Sequence, residues 1–127
     1  MAINRLRVLC VDDNRDIADS EALLLNLLGF DSRACYDGRQ AICEVPKFCP
    51  DVLLLDLNMP GMDGCDVARI LRERYDGPPP LLVAITAKSG TDDYRRTRDA
   101  GFDAHLVKPV EPNRLVEMLA ALDLSRK

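Results

Sequence analysis

The chain has 127 residues, 47% of them hydrophobic, and a formal net charge of −4 at pH 7, which predicts a single domain over residues 1–127 that buries roughly two-thirds of its unfolded surface. The negative charge argues against direct binding to nucleic acid or to an anionic membrane, because both depend on a basic surface. No apolar run approaches the ~18 residues of a membrane span or forms the core of a signal peptide, so we expect a cytoplasmic protein.

Apolar and amphipathic segments alternate along the chain and predict five strands and five helices. In chain order these are strand 7–11, helix 15–28, strand 30–35, a helix from 38 to about 45, strand 51–56, a helix from 64, strand 81–85, helix 89–100, strand 103–107 and a helix from 112. Pro46 should kink or end the second helix near Val45, because proline lacks a backbone donor. The fourth helix has a thin apolar stripe, so we expect it to be weakly anchored.

The five cysteines predict neither a disulfide framework nor a zinc site. They are odd in number, have no Cys-x-x-Cys spacing and stand mostly in apolar segments, at Cys10, Cys35, Cys43, Cys49 and Cys65. Both kinds of site need paired and regularly spaced cysteines. We interpret these residues as reduced, small hydrophobic side chains.

Polar residues with complementary charges follow four of the predicted strands. Alternating strands and helices predict a doubly wound parallel sheet, in which all strand carboxyl ends lie at one edge. That edge would collect Asp12, Asp13, Asp56, Thr86 and Lys108. A single Asp after a strand is more often a helix cap or a turn residue. Polar residues of complementary charge at four separate strand ends favour a functional site over a set of unrelated turn residues.

The three carboxylates predict a magnesium site. Close carboxylates repel one another, and a bound divalent cation keeps them ionised. Oxygen ligands without a His or Cys cluster favour magnesium over zinc. Lys108 and Thr86 would then be placed to contact phosphoryl oxygens. These residue types therefore predict a site that forms and holds an aspartyl phosphate on Asp56.

Four motifs in this order resemble the receiver domain of two-component response regulators. They are Val11-Asp12-Asp13, the run from Asp56-Leu57-Asn58 to Asp63-Gly64, Thr86-Ala87, and Lys108-Pro109. The resemblance covers nearly the whole chain. It implies a flavodoxin-like, CheY-like α/β fold, with a doubly wound five-stranded parallel sheet in the order 2-1-3-4-5 and five helices.

The resemblance also implies a role for each site residue. Asp56 would be the phosphoacceptor, and Mg²⁺ would be held by Asp13, Asp56 and the backbone carbonyl of Asn58. Asp12 would act through a metal-bound water, and Lys108 would pair with the phosphate.

The resemblance implies a switch and a cis peptide bond as well. Thr86, Ala87 and the residue at position 105 would move together on phosphorylation. Here that residue is His105, whereas the family usually has Tyr or Phe. The bond between Lys108 and Pro109 would be cis.

The function implied by the resemblance is that of a phosphoacceptor in a phosphorelay. A histidine kinase or a histidine phosphotransfer protein would donate the phosphoryl group to Asp56, and a downstream protein would recognise the changed surface. The chain would not be an enzyme beyond catalysing its own phosphorylation and dephosphorylation. Its origin as a receiver domain of a hybrid sensor kinase is an open alternative.

Other classes of protein fit the sequence less well. A haloacid-dehalogenase-type phosphatase normally has a second carboxylate where this chain has Asn58. A flavodoxin needs a Ser/Thr/Gly-rich phosphate loop after the first strand, and a Cys-His hydrolase would have to use His105, the single histidine. Arg95, Arg96 and Arg98 suggest a docking patch, but the acids beside them favour a solvated face of mixed charge.

Overall fold

The computed structural model describes residues 6–74, 80–87 and 91–125, with the side chains of 91–94 and 122–125 left aside. The elements follow the predicted alternation: β1 (Arg7–Val11), α1 (Arg15–Leu27), β2 (Asp31–Cys35), α2 (Gly38–Phe48), β3 (Val52–Asp56), α3 (Gly64–Arg74), β4 (Leu81–Thr86), α4 (Thr91–Ala100), β5 (Ala104–Val107) and α5 (Pro112–Ser125). Residues 77–79 of the proline connector, and the predicted helix start at Ser89, lie outside the described residues.

The sheet is parallel, with five strands in the order β2-β1-β3-β4-β5, which confirms the predicted topology. Its register aligns the carboxyl ends of the strands: Val11 lies opposite Leu55, and Thr86 lies opposite Val107. Because parallel strands all run in the same direction, the loops that follow them meet at one edge. The polar residues predicted at the strand ends can therefore lie close together at this edge.

Helices cover both faces of the sheet. Leu9 and Leu53 belong to a buried cluster shared with α2 and α3, whereas Val8 and Leu54 belong to a second cluster shared with α1 and α5. Successive residues of a strand point to opposite faces, so β1 and β3 supply both clusters. This explains why the central strands are apolar without alternation.

Pro46 does not end the second helix, so that part of the prediction is wrong. Helix α2 continues through Pro46 to Phe48, and Cys49 caps it in the left-handed conformation with φ 52°. The last turn is held by tertiary contacts: Phe48 is buried, and its carbonyl accepts a hydrogen bond of 2.9 Å from the Arg7 guanidinium. The guanidinium of Arg33 lies 4.5 Å from the centre of the Phe48 ring. These contacts offset the single helical hydrogen bond that proline omits.

All five cysteines are free thiols, and three of them, Cys10, Cys35 and Cys65, are buried. The interpretation as small hydrophobic residues holds for these three, whereas Cys43 and Cys49 are exposed. Within the described part of the chain, no helix combines the length and apolarity required to cross a membrane.

Candidate functional site

Three carboxylates meet at the carboxyl edge of the sheet. Oxygen atoms of Asp12, Asp13 and Asp56 all lie within 4.8 Å of one another. Asp12 follows β1, and Asp56 ends β3; the two residues are 2% and 3% exposed, whereas Asp13 is exposed to solvent. The predicted acidic cluster is therefore present, with two buried members and one that faces water.

Lys108 closes the pocket from the end of β5. Its Nζ lies 3.0 Å from Asp12 Oδ2 and 3.3 Å from Asp56 Oδ2. Its backbone N–H donates to the Thr86 carbonyl at 2.7 Å, which continues the pairing of β4 with β5 up to the lysine. The peptide bond between Lys108 and Pro109 is cis, as the resemblance implied.

Backbone donors orient the two buried carboxylates. Asp12 Oδ1 accepts a hydrogen bond of 3.0 Å from the N–H of Asn14, and Asp56 Oδ1 accepts one of 3.1 Å from the N–H of Asn58. In each residue the other oxygen, Oδ2, therefore faces the Lys108 ammonium. The loops that follow β1 and β3 thus fix the rotation of the carboxylates and not only their position.

The pocket holds more negative than positive charge around Asp56. Burial raises the pKa of Asp56 to about 6, and the charge of Asp12 adds to this rise. The hydrogen bond from Asn58 and the charge of Lys108 oppose it. Burial by itself lowers the pKa of Lys108, but its contacts with Asp12 and Asp56 prevail and the pKa is raised. One ammonium does not neutralise three carboxylates, so a further cation would be strongly attracted.

The pocket fits a hard divalent cation. Its donors are carboxylate oxygens, which suit magnesium, and the exposed Asp13 leaves one side open to water, which Mg²⁺ retains when bound. Asp13 and Asp56 would hold the ion, and Asp12, which has an oxygen within 4.8 Å of theirs, would act through a metal-bound water. The backbone carbonyl of Asn58 as a ligand stays a prediction.

Gly64 fixes the position of the β3 carboxyl end. A Cβ atom at this position would lie 2.7 Å from the Asp56 carbonyl oxygen and 3.1 Å from the Leu57 Cα. The N–H of Gly64 donates to the Leu57 carbonyl at 3.3 Å. The first turn of α3 thus packs directly against the backbone of Asp56, and only glycine permits this approach.

Gly64→Ala is expected to destabilise the fold by about 1–3 kcal/mol, because backbone atoms on both sides must move apart. It should also displace Asp56 and weaken Mg²⁺ binding. Urea unfolding and a magnesium titration measure the two effects. Gly29→Ala is the control, since a Cβ there meets nothing within 4 Å although its φ of +99° is strained; that variant should lose stability and keep its metal affinity. Equal metal affinity in Gly64→Ala would contradict this role.

Two of the three predicted switch residues, Thr86 and His105, lie on one face of the sheet. Thr86 ends β4 and is 2% exposed, and Ala87 follows it at the surface. In the pairing of β4 with β5, His105 lies opposite Ala84 and Val107 lies opposite Thr86. His105 and Val107 are two residues apart on one strand, so the side chains of Thr86 and His105 point to the same face. His105 is half-buried, and its Nδ1 lies 3.5 Å from Thr97 Oγ1 of α4.

Helix α4 is also linked to the site by a contact that the sequence did not reveal. Arg96 Nη2 lies 3.6 Å from Asp63 Oδ2, and Asp63 Oδ1 accepts the N–H of Asp66 at 2.9 Å in the first turn of α3. Arg98 pairs with Asp99 at 4.0 Å. Among the described side chains, Arg96 and Arg98 therefore both contact acids, which supports the interpretation of a mixed-charge face.

Sequence reasoning missed Glu21. This residue of α1 is half-buried, and it lines the cleft that also contains Lys108. Burial raises its pKa to about 7, the charges of Asp12 and Asp56 add to the rise, and Lys108 opposes it. A signal was available: Glu21 lies three residues after Ala18 and four before Leu25, on the apolar side of the helix.

A parallel sheet of this order, with an acidic pocket and a lysine at the carboxyl edge, is the architecture of a signalling receiver module. The chain belongs to the response regulator receiver domain family, whose sequence pattern matches residues 8–120. It is therefore a receiver domain of the kind found in two-component response regulators.

Known relatives agree with this assignment. The chain is 39% identical over 117 residues to the DNA-binding response regulator MtrA of Mycobacterium leprae, a match that covers 92% of this chain and 51% of that protein. The structure of chemotaxis protein CheY4 of Vibrio cholerae has a TM-score of 0.87 at 26% identity, covering 93% of this chain and 98% of that one. The receiver domain of the Francisella response regulator 1452 also has a TM-score of 0.87, at 25% identity, covering 97% of this chain and 100% of that one. The chain spans about half the length of the curated relatives it matches.

Proposed function

We propose that this receiver accepts a phosphoryl group on Asp56 from the phosphohistidine of a histidine kinase or of a histidine phosphotransfer protein. One observation carries the proposal: a buried carboxylate at a strand end, oriented by Asn58, contacts an ammonium and shares its pocket with two further acids. This is the environment that an in-line phosphoryl transfer to a carboxylate requires.

The transfer follows from the groups in the pocket. An oxygen of Asp56 forms a bond to phosphorus while the bond from phosphorus to the donor imidazole breaks, and the imidazole keeps the bonding electrons. The Lys108 ammonium, now 3.3 Å from Asp56 Oδ2, can contact the transferred oxygens and offset their charge. The Thr86 hydroxyl is a second donor from the neighbouring strand end. Magnesium, held by Asp13 and Asp56, would supply charge neutralisation in the same step.

The role of the chain is signalling, not turnover of a substrate. A covalent aspartyl phosphate changes the charge of the edge, and a downstream protein recognises the changed surface. The names of its curated relatives favour a response regulator over a receiver of a hybrid sensor kinase. The phosphatase alternative is disfavoured because Asn58, two residues after Asp56, has an amide side chain where such enzymes normally have a second carboxylate.

Intact-mass measurement tests the proposal. Incubation with acetyl phosphate and Mg²⁺, or with a phosphorylated histidine phosphotransfer protein, should add one phosphoryl group, and chelation of Mg²⁺ should prevent it. Peptide mapping should place the group on Asp56. No uptake from either donor would overturn the proposed function.

Thr86→Ala is expected to weaken the conformational response to phosphorylation. Thr86 and His105 share a sheet face, and His105 contacts Thr97, so a pull on the Thr86 hydroxyl should reach α4. NMR spectra with and without beryllofluoride, a stable phosphoryl mimic, should show shifts from Thr86 through α4 to His105 that diminish in the variant. Shifts confined to the loops around Asp13, Asp56 and Lys108 would show that another surface carries the output.

A further inference from the structure

A carboxylate of α1 outside the group of Asp12, Asp13 and Asp56 shares a cleft with Lys108. Glu21 lies between Ala18 and Leu25, both buried, on the side of the helix that packs against the sheet. Its side chain lines a cleft of ≈ 620 Å³ between α1 and the loop after β5, together with Lys108 and Pro109. Glu21 thus lies on the side of α1 where the turns before and after it carry the buried apolar residues Ala18 and Leu25.

No structural role accounts for this acid. Among the residues that the structure describes, the Glu21 carboxylate takes part in no ion pair and no hydrogen bond, whereas the exposed Asp19 of the same helix accepts a hydrogen bond of 2.5 Å from Tyr36. A half-buried carboxylate without such a partner reduces stability, since its charge loses hydration. Its position is therefore unfavourable for folding alone.

The electrostatics connect Glu21 to the site. Glu21 lines the same cleft as Lys108, and the Lys108 ammonium lies 3.0 Å from Asp12 Oδ2 and 3.3 Å from Asp56 Oδ2. Beyond the rise that burial causes, the charges of Asp12 and Asp56 raise the pKa of Glu21 and that of Lys108 lowers it. Because Coulomb interactions are mutual, the charge of Glu21 would act on the pocket in turn. Glu21 lies outside the group of acids whose oxygens fall within 4.8 Å of one another. It is thus close enough to change the potential of the pocket without belonging to the ligand group.

We propose that Glu21 is a further residue of the phosphoacceptor site, a carboxylate that does not ligate the metal and that increases the affinity of the pocket for a divalent cation. This inference rests on the proposed function. A negative charge beside the pocket attracts the cation through a partly desolvated path, where Coulomb interactions are weakly screened. Its removal should lower the affinity for Mg²⁺ about three- to tenfold.

A magnesium titration of matched variants tests the proposal. Backbone amide shifts of Asn14 and Asn58 are followed by NMR at about pH 8, where Glu21 is ionised. Glu21→Gln removes the charge and keeps the shape, and it should bind Mg²⁺ about three- to tenfold more weakly. Glu21→Asp keeps the charge and should retain most of the affinity. Asp19→Asn removes an equal charge from the exposed side of α1 and should change the affinity little.

The outcomes separate this inference from the proposed function. Glu21→Gln with wild-type affinity, or an equal loss in Asp19→Asn, would overturn the role of Glu21 while the wild-type protein still bound Mg²⁺ through Asp13. Absence of Mg²⁺ binding by the wild-type protein, or an unchanged affinity in Asp13→Asn, would instead overturn the proposed site. Thermal unfolding without metal should show Glu21→Gln to be at least as stable as wild type, so that a loss of affinity is not a loss of fold.

Discussion

Asp56→Asn is expected to take up no phosphoryl group from acetyl phosphate or from a phosphohistidine donor. The amide has the shape of the carboxylate but lacks its nucleophilic oxygen, and Asp12 is already paired with Lys108 at 3.0 Å. Intact mass and peptide mapping measure the loss. Asp51→Asn, at the opposite end of β3, is the matched control and should label as wild type does. Labelling of Asp56→Asn on Asp12 or Asp13 would contradict the assignment.

The same variant should be more stable than wild type at neutral pH without metal. Burial raises the pKa of Asp56 from 3.8 to about 6, so the folded state holds this proton more tightly than the unfolded state. The stability of the wild-type protein therefore falls as pH rises between about 4 and 6, by about 2–3 kcal/mol from this residue. Asparagine does not titrate and escapes this loss. Urea unfolding should show a gain at pH above about 7 that shrinks as pH falls toward 4.

Magnesium gives a check on that stability difference. Mg²⁺ binds the folded state and should stabilise the wild-type protein by mass action, whereas Asp56→Asn lacks one of the two carboxylates proposed as ligands. The gain in Asp56→Asn should therefore decrease or reverse when Mg²⁺ is added. A variant less stable than wild type in both conditions would show that the Asp56 carboxylate contributes to the fold and not only to the site.

Lys108→Met is expected to slow phosphoryl uptake by about 10²-fold or more at saturating Mg²⁺. The change removes the ammonium that contacts both Asp12 and Asp56 and that would offset charge on the transferred oxygens. It also raises the pKa of Asp56 further, because the charge of Lys108 is one of the factors that lower it. A smaller fraction of Asp56 is then ionised near neutral pH, which adds to the loss of rate. Rapid-quench measurement of phosphoryl transfer from a phosphorylated donor gives the rate.

The stability of Lys108→Met depends on the metal. Without Mg²⁺ the variant keeps two buried carboxylates and loses the ammonium that contacts them, which should lower the free energy of unfolding by about 1–3 kcal/mol at neutral pH. The loss is not larger because the Lys108 side chain is itself partly exposed to solvent. Mg²⁺ should restore much of this loss. Lys47→Met removes the same charge from an exposed position on α2 and should change neither the rate nor the stability beyond ±0.5 kcal/mol. An uptake rate of Lys108→Met equal to wild type would contradict the role of the lysine.

Local patterns were sufficient to predict the elements of this fold. Runs such as Val52 to Leu55 are buried on both faces of the sheet, so their sequence is apolar without alternation. A polar or charged residue at the end of each run marks the end of the strand. Helix positions followed from apolar spacing and from Gly29 after α1. The error at Pro46 arose because a local rule, the missing backbone donor, was outweighed by contacts of Phe48 with Arg7 and Arg33, which are remote in sequence.

Sequence patterns were enough to predict a doubly wound parallel sheet and the residue types at its carboxyl edge, because parallel connections bring the strand ends together there. The strand order 2-1-3-4-5 came from the family resemblance. How the side chains meet at that edge follows from the packing of the whole fold. The turn that sends Lys108 between Asp12 and Asp56, and the close packing of Gly64 on the Asp56 carbonyl, depend on strand register. Apolar spacing places Glu21 on the apolar side of α1, but its position in the cleft beside Lys108 depends on how the helix packs against the sheet. Such distances are set by packing between remote segments, which no local pattern encodes.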